Sequence, residues 1–311
     1  MTAAVSIRPA LDASSADAVR RLAGDAASVD GVSALSEASL LALAAPSPAG
    51  TRHLLVEAPA GLLGYAQVWP DASAELVVAP RARRTGVGGA LWRAAQGEGA
   101  ARVWAHGDLP SAQGFASALG LAPVRSLLRM GRPLTEGDRS PRPLPPGYAA
   151  TTFAERSPHA ADPLEELRAL NAAAFAAHPE QGRLTVEDLR VRMAEPWFDP
   201  TGLVLVAETA GSVQAPERRR PVAFHWTKVE PGSSTGEVYV VGVDPGHQGR
   251  GLAGPLTDLG LAHLATRGCT DVILYVDGDN APARATYERA GLRVQTTDRV
   301  YAPAASGDAG A

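Results

Sequence analysis

Residues 240–256 read VVGVDPGHQGRGLAGPL, and this stretch decides how the chain folds. An apolar run ends at Asp244 and Pro245, and a glycine-rich loop separates it from residues that favour a helix. Glycines let successive backbone N–H groups point into one hollow, and a helix N-terminus adds partial positive charge there. The pattern therefore predicts a strand, a phosphate-binding loop and a helix, in that order.

The same pattern occurs once more, in the first half of the chain. Residues 75–91 read ELVVAPRARRTGVGGAL and align with the stretch above at one offset of 165 residues, Pro80 with Pro245. A Gly-Leu pair closes both halves, at 120–121 and at 291–292. A repeat this long indicates two copies of one domain rather than a solenoid.

A proline-rich segment separates the two copies. Residues 136–147 contain four prolines and few apolar residues. This composition is typical of an interdomain linker. We therefore predict an N-terminal domain at 1–135, the linker at 136–147, a C-terminal domain at 148–305 and a tail at 306–311.

Each copy has the same order of predicted elements. Short apolar strands alternate with single helices, the first of which is predicted at residues 13–22. This alternation predicts an α/β fold (α+β, with a mixed sheet) in each copy.

The composition excludes several classes of protein. At about 150 residues per domain, a chain of 311 residues is long enough for two domains, each with its own core. With 45% hydrophobic residues, 20% charged residues and a net charge of −4, the chain is typical of a folded soluble protein and gives no reason to expect nucleic-acid binding. A single cysteine, Cys269, and no pattern of a membrane span or secretory leader lead us to expect a cytoplasmic monomer without membrane contact.

Gly249, Gly251 and Gly254 also match the G-x-G-x-x-G pattern of dinucleotide-binding folds. In those folds the strand runs directly into the first glycine, whereas here five residues separate the two. The surrounding sequence therefore disfavours a dinucleotide site.

The two loops resemble the acyl-CoA loop of the GCN5-related N-acetyltransferase (GNAT) family. Residues 248–253 (QGRGLA) and 83–88 (RRTGVG) are similar to its motif Q/R-x-x-G-x-G/A. The resemblance implies two tandem GNAT domains that use acetyl-CoA as cosubstrate. It implies that acetyl-CoA contacts the following residues: Val241, Gly242, Val243, Gln248, Gly249, Arg250, Gly251, Leu252, Ala253, Gly254, Asn280, Arg284 and Ala285 in the second half, and Val77, Val78, Ala79, Arg83, Arg84, Thr85, Gly86, Val87, Gly88, Gly89 and Ala90 in the first. The histidines have no metal-ligand spacing, so we expect no metal.

Two residues of the second half are candidates for acid–base catalysis. An α-amine has a reference pKa of about 7.7–8.0, so it is largely protonated at neutral pH and needs a base. Glu237 lies on the strand that enters the loop, and alternation predicts that it shares one face with Tyr239, Val241 and Val243. The resemblance implies that Glu237 is the base and that Tyr287 protonates the departing CoA sulfur. Taken alone, these residues are also compatible with a surface role and a packing role.

The first half lacks this catalytic pattern. When the closing Gly-Leu pairs are aligned, Ala116 lies opposite Tyr287 and Leu109 lies opposite Asn280. Glu75 stands five residues before Pro80, whereas Glu237 stands eight residues before Pro245, so the two glutamates are not at the same position. We therefore expect the N-terminal domain to bind cofactor or to act structurally, without turnover.

The tandem arrangement is similar to GNAT members that acetylate the cysteinyl amine of 1-D-myo-inosityl 2-(L-cysteinylamino)-2-deoxy-α-D-glucopyranoside. Segments 178–182 (HPEQG), 236–243 (GEVYVVGV) and 274–280 (LYVDGDN) carry this likeness. The residues it implies for that small molecule, cysteinyl-glucosaminyl-inositol, are Glu37, Glu180, Lys228, Glu237 and Tyr275. Glu37 follows Ser36 at a predicted helix start, where stabilising the helix N-terminus is the alternative role.

Lysine and arginine together number 29, and only one of them is a lysine, Lys228. A single retained lysine indicates a position where the wide planar fork of arginine would not serve. Two other functions stay open at this stage. One is acetylation of another primary amine, such as a peptide N-terminus or an aminoglycoside; the other is CoA binding without turnover, as in a sensor or scaffold.

Overall fold

The computed structural model describes residues 4–43, 49–59, 61–176, 181–209 and 215–304. The first half of the chain forms, in order, β1 (Ser6–Arg8), α1 (Ala13–Asp30), α2 (Glu37–Ala42), β2 (Arg52–Ala58), β3 (Gly61–Val68), β4 (Ser73–Val78), α3 (Val87–Gly97), β5 (Arg102–Ala105), α4 (Pro110–Ala118) and β6 (Leu121–Pro133). The second half forms β7 (Tyr148–Thr152), α5 (Phe153–Arg156), α6 (Pro163–Ala174), α7 (Val186–Met193), β8 (Leu203–Glu208), β9 (Pro221–Lys228), β10 (Thr235–Val243), α8 (Ala253–Thr266), β11 (Asp271–Asp277), α9 (Ala281–Arg289) and β12 (Arg293–Pro303). In the described part of the chain, no helix combines the length and the apolar composition that crossing a membrane requires.

Both halves form a mixed sheet, which confirms the predicted α/β class. Strands β1 to β4 pair antiparallel in sequence, and β4 pairs parallel with β5. In the same way, β7 to β10 pair antiparallel and β10 pairs parallel with β11. The first helix is longer than predicted: α1 runs through Gly24 to Asp30 and ends where Gly31, at φ +73°, turns the chain out of the helix.

The chain divides into two compact units that differ from the predicted domains in the last strand of each half. The first unit contains the residues up to Leu128, residues 277–279 and the residues from Thr296 onward, and the second unit contains 129–276 and 280–295. Within the first unit, β12 pairs antiparallel with β5, Val300 opposite Trp104. The last strand of the second half thus completes the sheet of the first unit. The boundaries 1–135, 136–147 and 148–305 stay a prediction, and the tail at 306–311 lies outside the described residues.

Helices cover both faces of the sheet in the second unit. On one face, α6 and α7 pack against β8 and β9 through a core that includes Leu167, Leu189 and Trp226. On the other face, α8 packs against the same strands through Leu252 and Leu256. Helix α9 contacts α8. The candidate residues of β9 and β10 therefore lie on strands that are covered from both sides.

A β-bulge interrupts β10. Val238 pairs with Thr227 and Val240 pairs with Trp226, its neighbour on β9, so Tyr239 is an extra residue on its strand. The extra residue reverses the alternation of side chains. The prediction that Glu237 and Tyr239 share a face with the two valines at 241 and 243 is therefore wrong. The ring of Tyr239 packs on Trp226 in the α6 and α7 core, whereas both valines pack on the α8 side.

Candidate active site

The predicted phosphate loop of the second unit begins where β10 ends. A short turn at Pro245–His247 leads into the loop, and Gly249 and Gly251 adopt φ values of +73° and +80°. These left-handed conformations favour glycine and turn successive N–H groups toward one side. The first turn of α8 has no side-chain cap. Its free N–H groups and the loop amides thus form a place where an anion can bind.

The loop of the first unit has the same backbone geometry at the same offset. Ala79 and Asp244 have φ and ψ of −51°, 133° and −52°, 133°, and each precedes a short 3-10 turn. Arg84 and Gly86, at φ +64° and +93°, occupy the positions of Gly249 and Gly251 in the second loop. Helix α3, like α8, has no side-chain cap at its N-terminus.

The first side chain of each motif fastens the loop to the end of its strand. Gln248 donates from Nε2 to the carbonyl oxygen of Val243 (3.2 Å), and Arg83 donates from Nε to the carbonyl oxygen of Val78 (3.3 Å). Arg83 also donates to both carboxylate oxygens of Asp30, at 2.7 and 2.6 Å, and these bonds raise the pKa of its guanidinium. The side chains of Gln248 and Arg83 therefore shape the loops, and the loop amides are left to face a ligand.

Two of the other predicted loop residues, Leu252 and Val87, can contact a ligand only through their backbone. The side chains of Leu252 and Val87 are buried in the cores of their units, at 2% and 3% exposure. The side chain of Arg250 turns toward Tyr148 and Glu208, with Nη1 at 3.2 Å from the tyrosine hydroxyl.

The paired strands separate just before each loop. Strands β10 and β11 pair from Thr235 to Val238, after which β10 continues to Val243 paired only with β9 among the described residues. In the first unit, β4 and β5 pair only at Ser73 and Ala74. The separation leaves one edge of β10 and of β4 open, so their backbone groups can hydrogen-bond an extended ligand.

Three predicted site residues share one face of the sheet in the second unit. Glu237 lies opposite Lys228 on β9 and beside Ile273 on β11. Tyr275, two residues after Ile273, points to the same face and is 48% exposed. Glu237 and Lys228 are direct cross-strand neighbours, which places their Cβ atoms about 4.5–5.5 Å apart. The fold thus brings together a carboxylate, an ammonium group and a phenol.

The ammonium group of Lys228 lies among aromatic rings. Its Nζ is 2.7 Å from Oε1 of Glu230 and lies 5.4 Å from the ring centre of Trp197 and 6.0 Å from that of Tyr239. The two rings are 5.0 Å apart and also pack on Trp226. Sequence reasoning missed Trp197 because it precedes β8 and is far from Lys228 in the chain.

The remaining predicted residues of the second unit lie on α9. Asn280 caps this helix, since its Oδ1 accepts from the N–H of Ala283 at 3.2 Å. Arg284 lies 3.6 Å from Glu288 on the next turn. Tyr287 is half-buried, and burial raises its pKa to about 12. At neutral pH its hydroxyl group is therefore protonated and can act as a donor.

Helix α4 of the first unit is the structural counterpart of α9. Leu109 occupies the N-cap position that Asn280 has in α9, and its apolar side chain makes no capping hydrogen bond. Ala116 is the seventh residue of α4, as Tyr287 is of α9, and it is 2% exposed. The first unit nevertheless has an open pocket of about 560 Å³ between α4, β4 and its loop, lined by Val78, Gly86, Gly88, Trp104, His106 and Phe115 among others.

A buried charge cluster at this pocket was not predicted from the sequence. The imidazole of His106 lies between two carboxylates, with Nε2 at 3.3 Å from Glu75 and Nδ1 at 3.1 Å from Asp298. Burial by itself would lower the pKa of His106, but the two carboxylates raise it to about 9. Glu75 also accepts from the backbone N–H of Ser36 at 2.8 Å, the N-cap of α2. The cluster thus joins α2, β4, β5 and β12 of the first unit.

Two predicted acceptor residues cannot be placed. Glu180 lies outside the described residues, and the side chain of Glu37 does too, although its backbone begins α2. The N-cap of that helix is the hydroxyl of Ser36, which accepts from the N–H of Ser39 at 3.2 Å. Within the described ranges, no group of three His, Cys, Asp or Glu side chains is arranged to hold a metal ion.

Known proteins similar to this chain include acetyltransferases along its whole length. The model of the acetyltransferase (GNAT) family matches residues 165–292. The mycothiol acetyltransferase of Nocardia farcinica is 46% identical and covers 94% of this chain and 95% of its own length. A GCN5-related N-acetyltransferase from Sphaerobacter thermophilus has a TM-score of 0.70 at 23% identity, covering 96% of this chain and 94% of its own. A tandem GNAT protein from the clavulanic acid biosynthesis pathway has a TM-score of 0.66 at 16% identity, covering 96% and 98%. The two solved structures bear on the fold alone.

Proposed function

The chain belongs to the mycothiol acetyltransferase family of GNAT acetyltransferases, and from this premise we propose that it acetylates the cysteinyl amine of cysteinyl-glucosaminyl-inositol with acetyl-CoA, giving mycothiol and CoA. Identity of about 46% along nearly the whole chain supports the choice of acceptor. One structural observation carries the choice of site. In the second unit, β10 separates from β11 one residue after Glu237, and the glycine loop that follows β10 leads into a helix, α8, without a side-chain cap.

Acetyl-CoA fits the open edge of β10 and the loop behind it. The backbone groups of Val241–Val243 would hydrogen-bond the acetyl and pantetheine groups, because β11 no longer occupies that edge. The loop amides from Gln248 to Gly254 and the N-terminus of α8 would bind the diphosphate. A side chain on Gly249 or Gly251 would require a strained left-handed backbone, as Arg84 has at the position of Gly249 in the first loop.

The acceptor amine attacks the thioester carbon in its neutral form, after its ammonium ion has released one proton to solvent, and the attacking nitrogen then loses a second proton as the amide forms. We assign this proton to Glu237, directly or through one water molecule. Lys228 is its cross-strand neighbour on β9, so the proposed base and the lysine lie side by side on the acceptor face. The new C–N bond forms as the C–S bond breaks, and the electron pair of that bond leaves with the sulfur.

Tyr287 is assigned to the departing sulfur. A thiol has a reference pKa of about 8.5, and burial raises the pKa of Tyr287 to about 12, so tyrosinate would be the stronger base. The hydroxyl group therefore acts by donating a hydrogen bond to the thiolate as negative charge develops there. Glu237 lies on the α6 and α7 face, whereas α9 contacts α8 on the opposite face. For both groups to act on one thioester, the thioester would have to lie in the gap between β10 and β11, and we propose that position for it.

The acceptor would lie on the face that Lys228, Glu237 and Tyr275 share. Its hydroxyl groups can accept from the ammonium group of Lys228 and exchange hydrogen bonds with the exposed phenol of Tyr275. Glu37 and Glu180 complete the proposed set through the family resemblance alone.

We infer a second acetyl-CoA site, without turnover, in the first unit. Its loop repeats the geometry of the catalytic loop, and its pocket of about 560 Å³ is large enough for part of the cofactor. Ala116 takes the place of Tyr287, so the pocket has no counterpart of the proposed hydrogen-bond donor to the sulfur. Acetyl-CoA bound there would keep its thioester.

The direct test is a panel of amine acceptors assayed for CoA thiol release with acetyl-CoA. The panel should contain cysteinyl-glucosaminyl-inositol, glucosaminyl-inositol without cysteine, a peptide N-terminus and an aminoglycoside. We expect rapid release only with the cysteinyl compound, and an N-acetylated product by mass spectrometry. Acetylation of another amine in preference to it would refute the proposed acceptor.

A further inference from the structure

The two units place an arginine guanidinium at the same position beside the phosphate loop, although the two arginines come from different parts of the chain. Gly89 and Gly254 correspond at the offset of 165 and lie in the first turn of α3 and α8. A Cβ built on Gly89 would lie 3.5 Å from Nη1 of Arg93, and one built on Gly254 would lie 3.1 Å from Nη2 of Arg142.

In the first unit the guanidinium comes from the helix itself. Arg93 is one turn after Gly89, and long side chains on a helix extend back toward its N-terminus. In the second unit the equivalent position is Asp258, whose carboxylate cannot supply positive charge. Arg142, from the predicted linker, takes its place.

Asp258 holds the linker arginine where a helix arginine would lie. The guanidinium of Arg142 contacts the carboxylate of Asp258 through Nε and through Nη2, the latter at 3.0 Å, and the backbone N–H of Arg142 lies 3.4 Å from the same carboxylate. Asp258 is largely buried, whereas 60% of the side chain of Arg142 is exposed. These bonds to Asp258 use Nε and Nη2, so Nη1 can face a ligand while the other two nitrogens are bound.

The linker also follows the loop itself. The ring of Pro145 lies 3.7 Å from where a Cβ on Gly251 would be. The segment between Arg142 and Pro145 thus runs beside the glycine loop, from the first turn of α8 to the left-handed glycine.

We propose that Arg142 is a cofactor-binding residue that contacts a phosphate group of acetyl-CoA at the catalytic loop. The inference rests on the proposed use of this loop for acetyl-CoA. The recurrence of a guanidinium at one position, by two different routes, supports a need for positive charge there. Acetyl-CoA offers two kinds of phosphate, the diphosphate and the 3′-phosphate, and a planar guanidinium can bind either through paired N–H groups.

The test compares Arg142→Ala with the wild-type enzyme by the KM for acetyl-CoA in the thiol-release assay and by titration calorimetry with CoA. We expect the KM to rise about fivefold or more with kcat nearly unchanged, and the difference to shrink at high salt. Arg139→Ala removes a linker arginine that is paired with Glu136 on its own turn; it is the matched control and should stay within about twofold of the wild type.

A rescue variant makes the test sharper. Arg142→Ala combined with Asp258→Arg moves the guanidinium onto the helix, as Arg93 has it in the first unit, and should bring the KM back to within about twofold of the wild type. Acetyl-dephospho-CoA, which lacks the 3′-phosphate, identifies the group contacted: the effect of Arg142→Ala disappears if it is the 3′-phosphate and persists if it is the diphosphate.

The proposal is overturned if Arg142→Ala leaves both the KM and the CoA affinity within about twofold of the wild type, or if Arg139→Ala has an equal effect. Calorimetry needs no acceptor. A loss of CoA affinity in Arg142→Ala would therefore support the role of Arg142 even if cysteinyl-glucosaminyl-inositol proves not to be acetylated.

Discussion

The ammonium group of Lys228 is surrounded by a carboxylate and two aromatic rings, which explains why a lysine is found here in a chain that otherwise uses arginine. The carboxylate of Glu230 and the rings of Trp197 and Tyr239 leave room for a compact charge. Cation–π contacts of this kind contribute about 0.5–2 kcal/mol when the cation is partly desolvated. A guanidinium is planar and spreads its charge over a wide fork, so it would not place a compact charge at this point beside Glu230 and the two rings.

Lys228→Arg should therefore raise the KM for the amine acceptor by about tenfold and leave the KM for acetyl-CoA unchanged. Steady-state kinetics with each substrate varied in turn measures both values. Full activity with unchanged KM values would mean that the lone lysine has no special role.

Tyr287→Phe removes the hydroxyl group that is assigned to the leaving sulfur and keeps the ring. We expect kcat to fall by about 10²-fold, which is typical of losing a general acid or a transition-state donor. Because the phenol is not used in binding, the affinity for acetyl-CoA should stay within about twofold of the wild-type value. Unchanged kcat would remove Tyr287 from the mechanism.

At the scale of elements, the sequence pattern predicted the two loops and the α/β order but not the bulge at Tyr239. Glycine spacing after an apolar strand has a local cause, so residues 240–256 are sufficient to predict the loop. A bulge depends on the register between β9 and β10, and nothing in the alternation of residues 235–243 indicates where an extra residue enters. The two valines at 241 and 243 were therefore assigned to the wrong face.

The cluster of Glu75, His106 and Asp298 also could not be predicted, because its members come from distant parts of the chain. Its carboxylates hold a protonated imidazole, and Glu75 holds the N-terminus of α2 at Ser36. Since Glu37 is the next residue, the cluster fixes the start of the helix that carries this proposed acceptor residue.

This cluster makes the stability of the first unit depend on pH in the alkaline range. The pKa of His106 is about 9 in the folded protein, above its reference value of about 6.5, so its contribution is complete below pH 6.5 and is lost as pH rises through about 9. His106→Gln should lower the melting temperature at pH 6.5 by an amount equivalent to about 2 kcal/mol of unfolding free energy. The difference in melting temperature between the variant and the wild type should become smaller by pH 10. Thermal unfolding at both pH values measures this; a difference that stays constant across the range would contradict the charged cluster.

At the scale of the whole molecule, the sequence predicted two copies of one domain, and both copies are present. It did not predict which closing strand each sheet takes. Each half ends in a strand at a Gly-Leu pair, at 121–133 and at 293–303, and nothing in either sequence indicates which sheet the strand joins. Tertiary pairing decided the outcome, and the first unit contains β12 beside β5. The repeat in the sequence was therefore sufficient to predict the fold class, but it did not indicate which sheet each closing strand joins.

The central claim is that turnover takes place at the loop of the second unit and not at its copy in the first. Gly251→Val and Gly86→Val test it as a matched pair, since both glycines have left-handed backbones, at φ +80° and +93°, that valine does not adopt without strain. The measurement is the initial rate of CoA thiol release with acetyl-CoA and cysteinyl-glucosaminyl-inositol, after melting curves have shown that both variants are folded. We predict that Gly251→Val loses nearly all turnover and that Gly86→Val retains most of it. Loss of turnover in Gly86→Val with normal rates in Gly251→Val would contradict the account.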